Sequence, residues 1–188
     1  MTATDTKQTI LEAARRVVQS RGYNALSFRE LAKEVGIKSA SIHYHFPTKG
    51  DLGAALARRY TEDTVGYLDQ LLAQSNDPTA MMKAYTGAFR AALENDNRMC
   101  LCGILAAEHH DLPVEVRVEV DGFTDANVRW LTQVLALTQP DARPEALGRL
   151  ALSVFGAIQG AQLVSRGRND ISVYDQMIES YRVAGLIP

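Results

Sequence analysis

The tightest constraint on the fold lies in residues 27 to 52, SFRELAKEVGIKSASIHYHFPTKGDL, where two short helical patterns are separated by one glycine. Ser27-Phe28-Arg29-Glu30 has the form of a capping box: the Ser27 hydroxyl accepts from the amide three residues on, and Glu30 reaches back to the Ser27 amide. A helix opened there runs through Leu31, Ala32 and Val35 and stops at Gly36, which suits the left-handed closing position. Only two residues follow before Ser39 or Ser41 can cap a third helix, SASIHYH, and Pro47 ends it by driving Phe46 out of the helical region. Two short helices across a tight glycine turn are a helix-turn-helix.

Helical spacing of apolar residues continues on both sides. Ile10, Ala14, Val17 and Val18 mark a first helix over about residues 6 to 21, with Gly22 as a left-handed cap. Thr48-Lys49-Gly50-Asp51 opens a fourth helix that carries Leu52, Leu56 and Tyr60 and reaches about Gln74, before the break at SNDP. A fifth begins at Asp77 and closes at Asn95-Asp96-Asn97, and the short apolar segment CLCGILAAEHH follows. Val114, Val116, Val118 and Val120 alternate with polar residues as in a strand, yet Val116, Val120, Phe123, Trp130 and Val134 hold one face for longer than a strand lasts. The spacing therefore predicts a helix, with Asp111 as N-cap and Pro113 in the first turn. A long helix from about Pro144 to Arg166 contains Gly148, Gly156 and Gly160, and interior glycines at about 1 kcal/mol each suggest close approach of another backbone. A last helix runs from Ser172 to Gly185. The expected class is all-α, about nine helices.

Charge is unevenly distributed. Residues 1–50 hold eight Lys and Arg against four Asp and Glu, a surplus of four positive charges, and the remaining 138 residues carry six net negative charges within an overall −2. A basic head on an acidic body points to a polyanion partner for the head alone. No run of about 18 apolar residues and no secretory leader is read in the sequence, and Cys100 and Cys102 are too few and too close for a disulfide framework. The chain is expected to be soluble and cytoplasmic, with no membrane partner.

Ile42 and Phe46, four apart in SASIHYH, can pack inward against Leu31, Val35 and the first helix, which turns Ala40, Ser41, His43 and Tyr44 outward. Small Ala40 and Ser41 let such a helix sit deep in a major groove. Lys38 and Lys49 flank it as phosphate clamps, and Ser27 offers a helix N-terminus and a hydroxyl. A metal site at His43 and His45 is disfavoured, since two residues of helix separate the rings by ~200°. Glu108-His109-His110-Asp111 reads as a solvated helix end. No phosphate loop, nucleophile elbow, His-Glu-x-x-His or Glu-x-x-His motif is present, so neither an enzyme, a metal nor a cofactor is expected.

Residues 27 to 52, in this layout, resemble the signature of the TetR family of bacterial transcriptional repressors, the match being specific over roughly residues 5 to 60. The resemblance implies a three-helix, homeodomain-like DNA-binding head over residues 1–50 (motif 27–46) and an effector-binding and dimerisation bundle over 51–188. It implies DNA contacts at Lys38, Ser39, Ser41, His43, Tyr44, His45 and Lys49, with His43 standing where the family more often has tyrosine. It also implies a homodimer through the last two helices, at Gly156, Gly160, Met177 and Tyr181. An effector cavity inside helices five to eight would be lined by Met81, Tyr85, Phe89, Met99, Phe123, Trp130, Phe155 and Gln159, apolar with few polar handles, as suits a small organic molecule. CLCGILAAE is similar to a Cys-Leu-x-Gly-x-Leu segment in a subgroup that senses electrophiles and small unsaturated acids, with Ile104 in place of its asparagine. Arg98 and a helix start favour thiolate at Cys100, which makes that residue a redox candidate.

The implied function is a repressor that binds an inverted-repeat operator in double-stranded DNA and is released by a small effector or a thiol modification. The competing reading is a helical small-molecule binder or enzyme whose head is only an interaction module.

Overall fold

The computed structural model describes the backbone of residues 3–188 and the side chains from residue 5 onward; Met1 and Thr2, at the start of the expected head, lie outside the described residues. The described residues form nine α-helices and no strand. They are α1 (Ala3–Arg21), α2 (Phe28–Val35), α3 (Ser39–His45), α4 (Lys49–Gln74), α5 (Pro78–Glu94), α6 (Leu101–Ala107), α7 (Val114–Thr138), α8 (Pro144–Arg168) and α9 (Ile171–Val183). Single 3-10 turns at Tyr23–Ala25 and His109–Asp111 follow α1 and α6.

The alternating valines are helical. Val116 and Val120 are buried while Val114 and Val118 stay exposed, so one helical face is covered and no strand partner is needed. Gly36 closes α2 in the left-handed conformation at φ 75°, and its amide bonds back into the last turn.

Four cap expectations need correction. Ser27 does accept from the Glu30 amide, at 3.5 Å, but Glu30 turns outward to pair with Lys33 and Arg29 instead of reaching back. The reciprocal box forms at α4: Thr48 Oγ1 accepts from the Asp51 amide at 3.0 Å while Asp51 Oδ2 accepts from the Thr48 amide at 3.0 Å. Neither Ser39 nor Ser41 caps α3, because the N-cap is Lys38, whose side chain makes no capping bond. Asp111 does not cap α7; it lies in the preceding 3-10 turn, and the Pro113 carbonyl accepts from the Val116 and Arg117 amides. Gly22 has positive φ, 84°, but with ψ 175° it is an extended glycine-only conformation, not a left-handed cap.

The chain divides into two compact units. The first is Met1–Glu62 together with Leu101–Phe123; the second is Asp63–Cys100 with Thr124–Pro188. In the first, α1, α2 and α3 bury Ile10, Val18, Leu31, Ile42 and Phe46, and α6 and the start of α7 add Leu101, Leu105, Val116 and Val120. The second has a core of Met81, Met82, Tyr85, Trp130, Leu131, Val154 and Tyr174.

Three buried aromatic side chains of the second unit have hydrogen-bond partners. Tyr85 Oη donates to Asn127 Oδ1 at 2.9 Å, Trp130 Nε1 to the Leu68 carbonyl at 2.9 Å, and Tyr174 Oη to the Thr86 carbonyl at 2.8 Å. Burial pushes both tyrosine hydroxyls well above their ordinary range, so they stay neutral donors.

Candidate functional site

The geometry of α3 follows from two anchors. Ile42 and Phe46 are 0% and 2% exposed, so the helix is held by one face. Ala40, His43 and Tyr44 point to solvent, Ser39, Ser41 and His45 are half-buried, and Tyr44 keeps 80% of its surface exposed. A tyrosine left this open on a seven-residue helix contributes nothing to the core, and a major groove is wide enough to admit an α-helix.

The flanking residues divide. Lys38 is exposed at the start of α3. Lys49 is not a free clamp: its ammonium lies 4.5 Å above the Tyr23 ring and donates to the Asn24 carbonyl at 3.3 Å. Burial lowers its pKa, opposed by the nearby Glu108 carboxylate. His43 packs edge-on against Phe28, ring centres 4.7 Å apart, with Nδ1 3.4 Å from the Pro47 carbonyl. Ser27 is half-buried, its hydroxyl engaged at the start of α2.

The residues expected to line an effector cavity fall in different places. Phe123 belongs to the first unit, stacked obliquely on Tyr60 with ring centres 5.4 Å apart. Met81, Tyr85, Phe89, Met99, Trp130, Phe155 and Gln159 belong to the second. Tyr85 is central to them, stacked on Trp130 at 5.0 Å and edge-on to Phe89 at 5.2 Å. An open cavity of about 360 Å³ lies between α5 and α9, lined by Lys83, Thr86, Gly87, Arg90, Tyr174, Asp175, Ile178, Glu179 and Arg182, none of them expected from the sequence. A smaller one of about 110 Å³ includes Trp130.

Cys100 is 2% exposed and is gripped from α8. Gln162, fully buried, accepts from the Cys100 amide at 2.9 Å and donates to the Phe89 carbonyl at 2.8 Å. Gln159 Nε2 donates to Cys100 Sγ at 3.5 Å, while Gln159 Oε1 is buried with no hydrogen-bond partner among the described residues. No group of three His, Cys, Asp or Glu side chains able to hold a metal ion occurs among the described residues.

α8 is the one helix among the described residues long and apolar enough in composition to cross a membrane, and only 39% of its apolar stretch is buried. The uncovered part includes Leu152, Leu163 and Val164, with exposed Gly156 and half-buried Gly160 among them. A Cβ at either glycine would meet nothing within 4 Å, so no backbone of this chain approaches them. Met177 and Tyr181 are half-buried on α9, and Tyr181 Oη donates to the Ala157 carbonyl at 3.3 Å.

Sequence reasoning missed the carboxylates that meet the head. Glu108 Oε2 accepts from the Tyr23 amide at 2.6 Å and Asp111 Oδ2 from Asn24 Nδ2 at 2.7 Å, and just beyond the head Glu119 pairs with Arg58. These are pairings between residues 61 to 87 apart, with no local signature. The trace in the sequence is Gly22 and Gly50 in the head and Gly53 just after it.

A solvent-facing helix seated on a two-residue anchor after a glycine turn, with Lys38 exposed at its start, defines a helix-turn-helix DNA-binding protein. Residues 10–56 match the family model for bacterial regulatory proteins of the tetR family. The chain is 28% identical over 151 residues to the HTH-type transcriptional activator FasR of Mycolicibacterium smegmatis, which covers 79% of this chain and 68% of FasR. It is 27% identical over 172 residues to the transcriptional regulator AcuR of Cereibacter sphaeroides, covering 85% and 77%. The crystal structure of a TetR transcriptional regulator from Legionella pneumophila superposes with a TM-score of 0.88 at 29% identity, over 97% of both chains. Residues 10–56 thus carry the DNA-binding region of the tetR family of bacterial regulatory proteins, and over most of its length the chain is similar to TetR-type transcriptional regulators.

Proposed function

We propose that this regulator is a cytoplasmic repressor that binds an inverted-repeat operator as a homodimer and leaves it when a small organic effector binds. Residues 1–50 are the DNA-binding domain on this reading, and residues 51–188 take the effector and form the dimer. The observation that carries the proposal is the α3 surface: Ile42 and Phe46 buried beneath it, Tyr44 and His43 exposed upon it. Ser39, Ser41, His43, Tyr44 and His45 are assigned to the groove, and Ser27, Lys38 and Lys49 to its phosphates.

The uncovered face of α8 supports the dimer, since Gly156 and Gly160 leave room there for a second copy's helix beside Leu152 and Leu163. Two recognition helices must then lie about 34 Å apart to enter successive major grooves. An effector that binds one spacing better than the other shifts the population, and DNA affinity follows. The aromatic cluster around Tyr85, with the unpartnered Gln159 oxygen, supports an apolar effector carrying one hydrogen-bond donor.

A second reading, thiol control through Cys100, draws on the Gln159 amide directed at its sulfur. Footprinting the DNA upstream of the protein's own coding region tests both. Protection of an inverted repeat is expected, and uniform or absent protection refutes operator binding. If Cys100→Ser protein still leaves that DNA on treatment with an electrophile, thiol control through Cys100 is wrong. FasR is named an activator, so a reporter fused to the same region reads the sign: expression rising on deletion of the regulator is the expected result.

A further inference from the structure

We propose that Glu108 is the positioning residue of the DNA-binding head: from the end of α6 its carboxylate fixes the α1–α2 turn, and through that turn Lys49. The inference rests on the DNA-binding reading above and adds the route by which residues outside the head set DNA affinity.

The turn is made for this contact. After α1 ends, Gly22 swings the chain through φ 84° and ψ 175°, where a residue with a side chain is strained. A Cβ at Gly22 would overlap the Glu108 carboxylate, so glycine supplies both the bend and the space. The next residue, Tyr23, is 3% exposed, and the acceptor its amide meets is Glu108 Oε2 at 2.6 Å, a charge-assisted bond.

The rest of the turn engages Lys49 and Asp111. The Tyr23 ring carries the Lys49 ammonium, the Asn24 carbonyl accepts from Lys49 Nζ, and Asn24 Nδ2 donates to Asp111. At the start of α4 the pattern repeats. A Cβ on Gly50 would overlap the Glu115 carboxylate, and one on Gly53 would stand 2.9 Å from Val116 Cγ2 and 2.7 Å from the Tyr23 ring. At Gly36, Gly66, Gly156, Gly160 and Gly185, by contrast, a Cβ would meet nothing within 4 Å.

Apolar contacts alone would let the turn slide over α6, because they have no preferred direction. The Glu108 bond is directional and, through the Tyr23 ring and Asn24, sets where Lys49 is held. α6 starts immediately after Cys100 and ends one residue before Glu108, so it is a seven-residue rod of about 10 Å. A shift at its start moves the carboxylate at its end.

The test uses the full-length protein, a fluorescein-labelled duplex of the DNA upstream of its coding region, and amide hydrogen exchange of the free protein. Glu108→Ala is expected to speed exchange within residues 22–26 while the rest of the chain keeps its protection, and to weaken DNA binding about tenfold. Glu108→Gln retains an acceptor oxygen for the Tyr23 amide and is expected to recover most of that affinity. Unchanged exchange in residues 22–26, wild-type affinity in Glu108→Ala, or Glu108→Gln as weak as Ala each overturns the proposal. Should Glu108→Ala fail to fold, Glu108→Asp replaces it: one methylene shorter, it keeps the charge but draws back from the amide, and the same readouts decide. If the wild type itself ignores DNA, the DNA-binding reading fails, while exchange at residues 22–26 still decides whether Glu108 holds the turn.

Discussion

Gln162→Leu is the sharpest stability experiment. The side chain is completely buried, and its amide oxygen accepts the Cys100 N–H, the last amide before α6 begins. Cys100 is itself 2% exposed, so water does not replace the lost acceptor easily. Leaving a buried amide unpaired costs about 1–3 kcal/mol, and losing the Nε2 bond to the Phe89 carbonyl adds up to about 1. Leucine returns up to about 1 kcal/mol by removing a buried polar group. The net loss is about 1–3 kcal/mol, which lowers the melting temperature by roughly 3–10 °C for a chain of this size. Thermal unfolding followed by circular dichroism measures it, and a variant melting within about 1 °C of the wild type refutes the reasoning.

Gln162→Glu sharpens the same point through pH. Its carboxyl would face the Phe89 carbonyl and the Cys100 amide, and only the protonated form can donate to the carbonyl, so its folded pKa is raised. Whatever stability it retains is present below the ordinary value of about 4.3 and is lost as pH rises through the folded value. The gap from the wild type should therefore widen between about pH 4 and 7.

Tyr44→Ala removes a side chain that is 80% exposed, so stability should stay within about 0.5 kcal/mol while DNA affinity falls about tenfold or more; unchanged affinity would remove Tyr44 from the interface. Gly156→Arg places a long cation where a Cβ meets nothing in this chain, so helicity should persist while sedimentation velocity shows the dimer replaced by monomer; an intact dimer places the interface elsewhere. Burial, and secondarily Glu115, pushes the Tyr23 hydroxyl from 10.0 up to about 12. The folded state then holds a proton that the unfolded chain releases, so this contribution to stability is complete below pH 10 and declines as pH rises towards 12; Tyr85 and Tyr174 add declines of the same sign, so Tyr23→Phe should make the alkaline decline shallower without removing it, and an unchanged profile contradicts it.

Most of the first four helices was legible because their signals are local. Gly36, Pro47 and the Ile42/Phe46 pair lie within a few residues of the structure they determine. The valine alternation of α7 gave way to helix because the apolar face persisted through Phe123 to Val134, beyond strand length. The caps were less legible. Ser27 and Glu30 fit the capping-box pattern, yet Glu30 has Arg29 and Lys33 beside it and forms ion pairs with them, while Thr48 and Asp51 close the same box with aspartate in place of glutamate.

The candidate site was legible on α3 and hidden elsewhere. That Lys49 lies on Tyr23 instead of standing free involves a turn about 25 residues away, whose Tyr23 amide in turn meets Glu108, 85 residues further on. Gly22 was visible as a helix stop, but its second reason, room for Glu108, is a tertiary fact.

Operator binding is tested most directly by fluorescence anisotropy of the full-length protein with the inverted repeat from its own upstream region, titrated over a range of salt concentrations and against a duplex of scrambled sequence. A dimer reading two half-sites through α3 should prefer the repeat by about a thousandfold and lose affinity with a log–log salt slope of about −4 or steeper, as phosphate contacts release counterions. Equal affinity for both duplexes, or a slope near zero, would contradict the assignment of α3 as the DNA-reading surface.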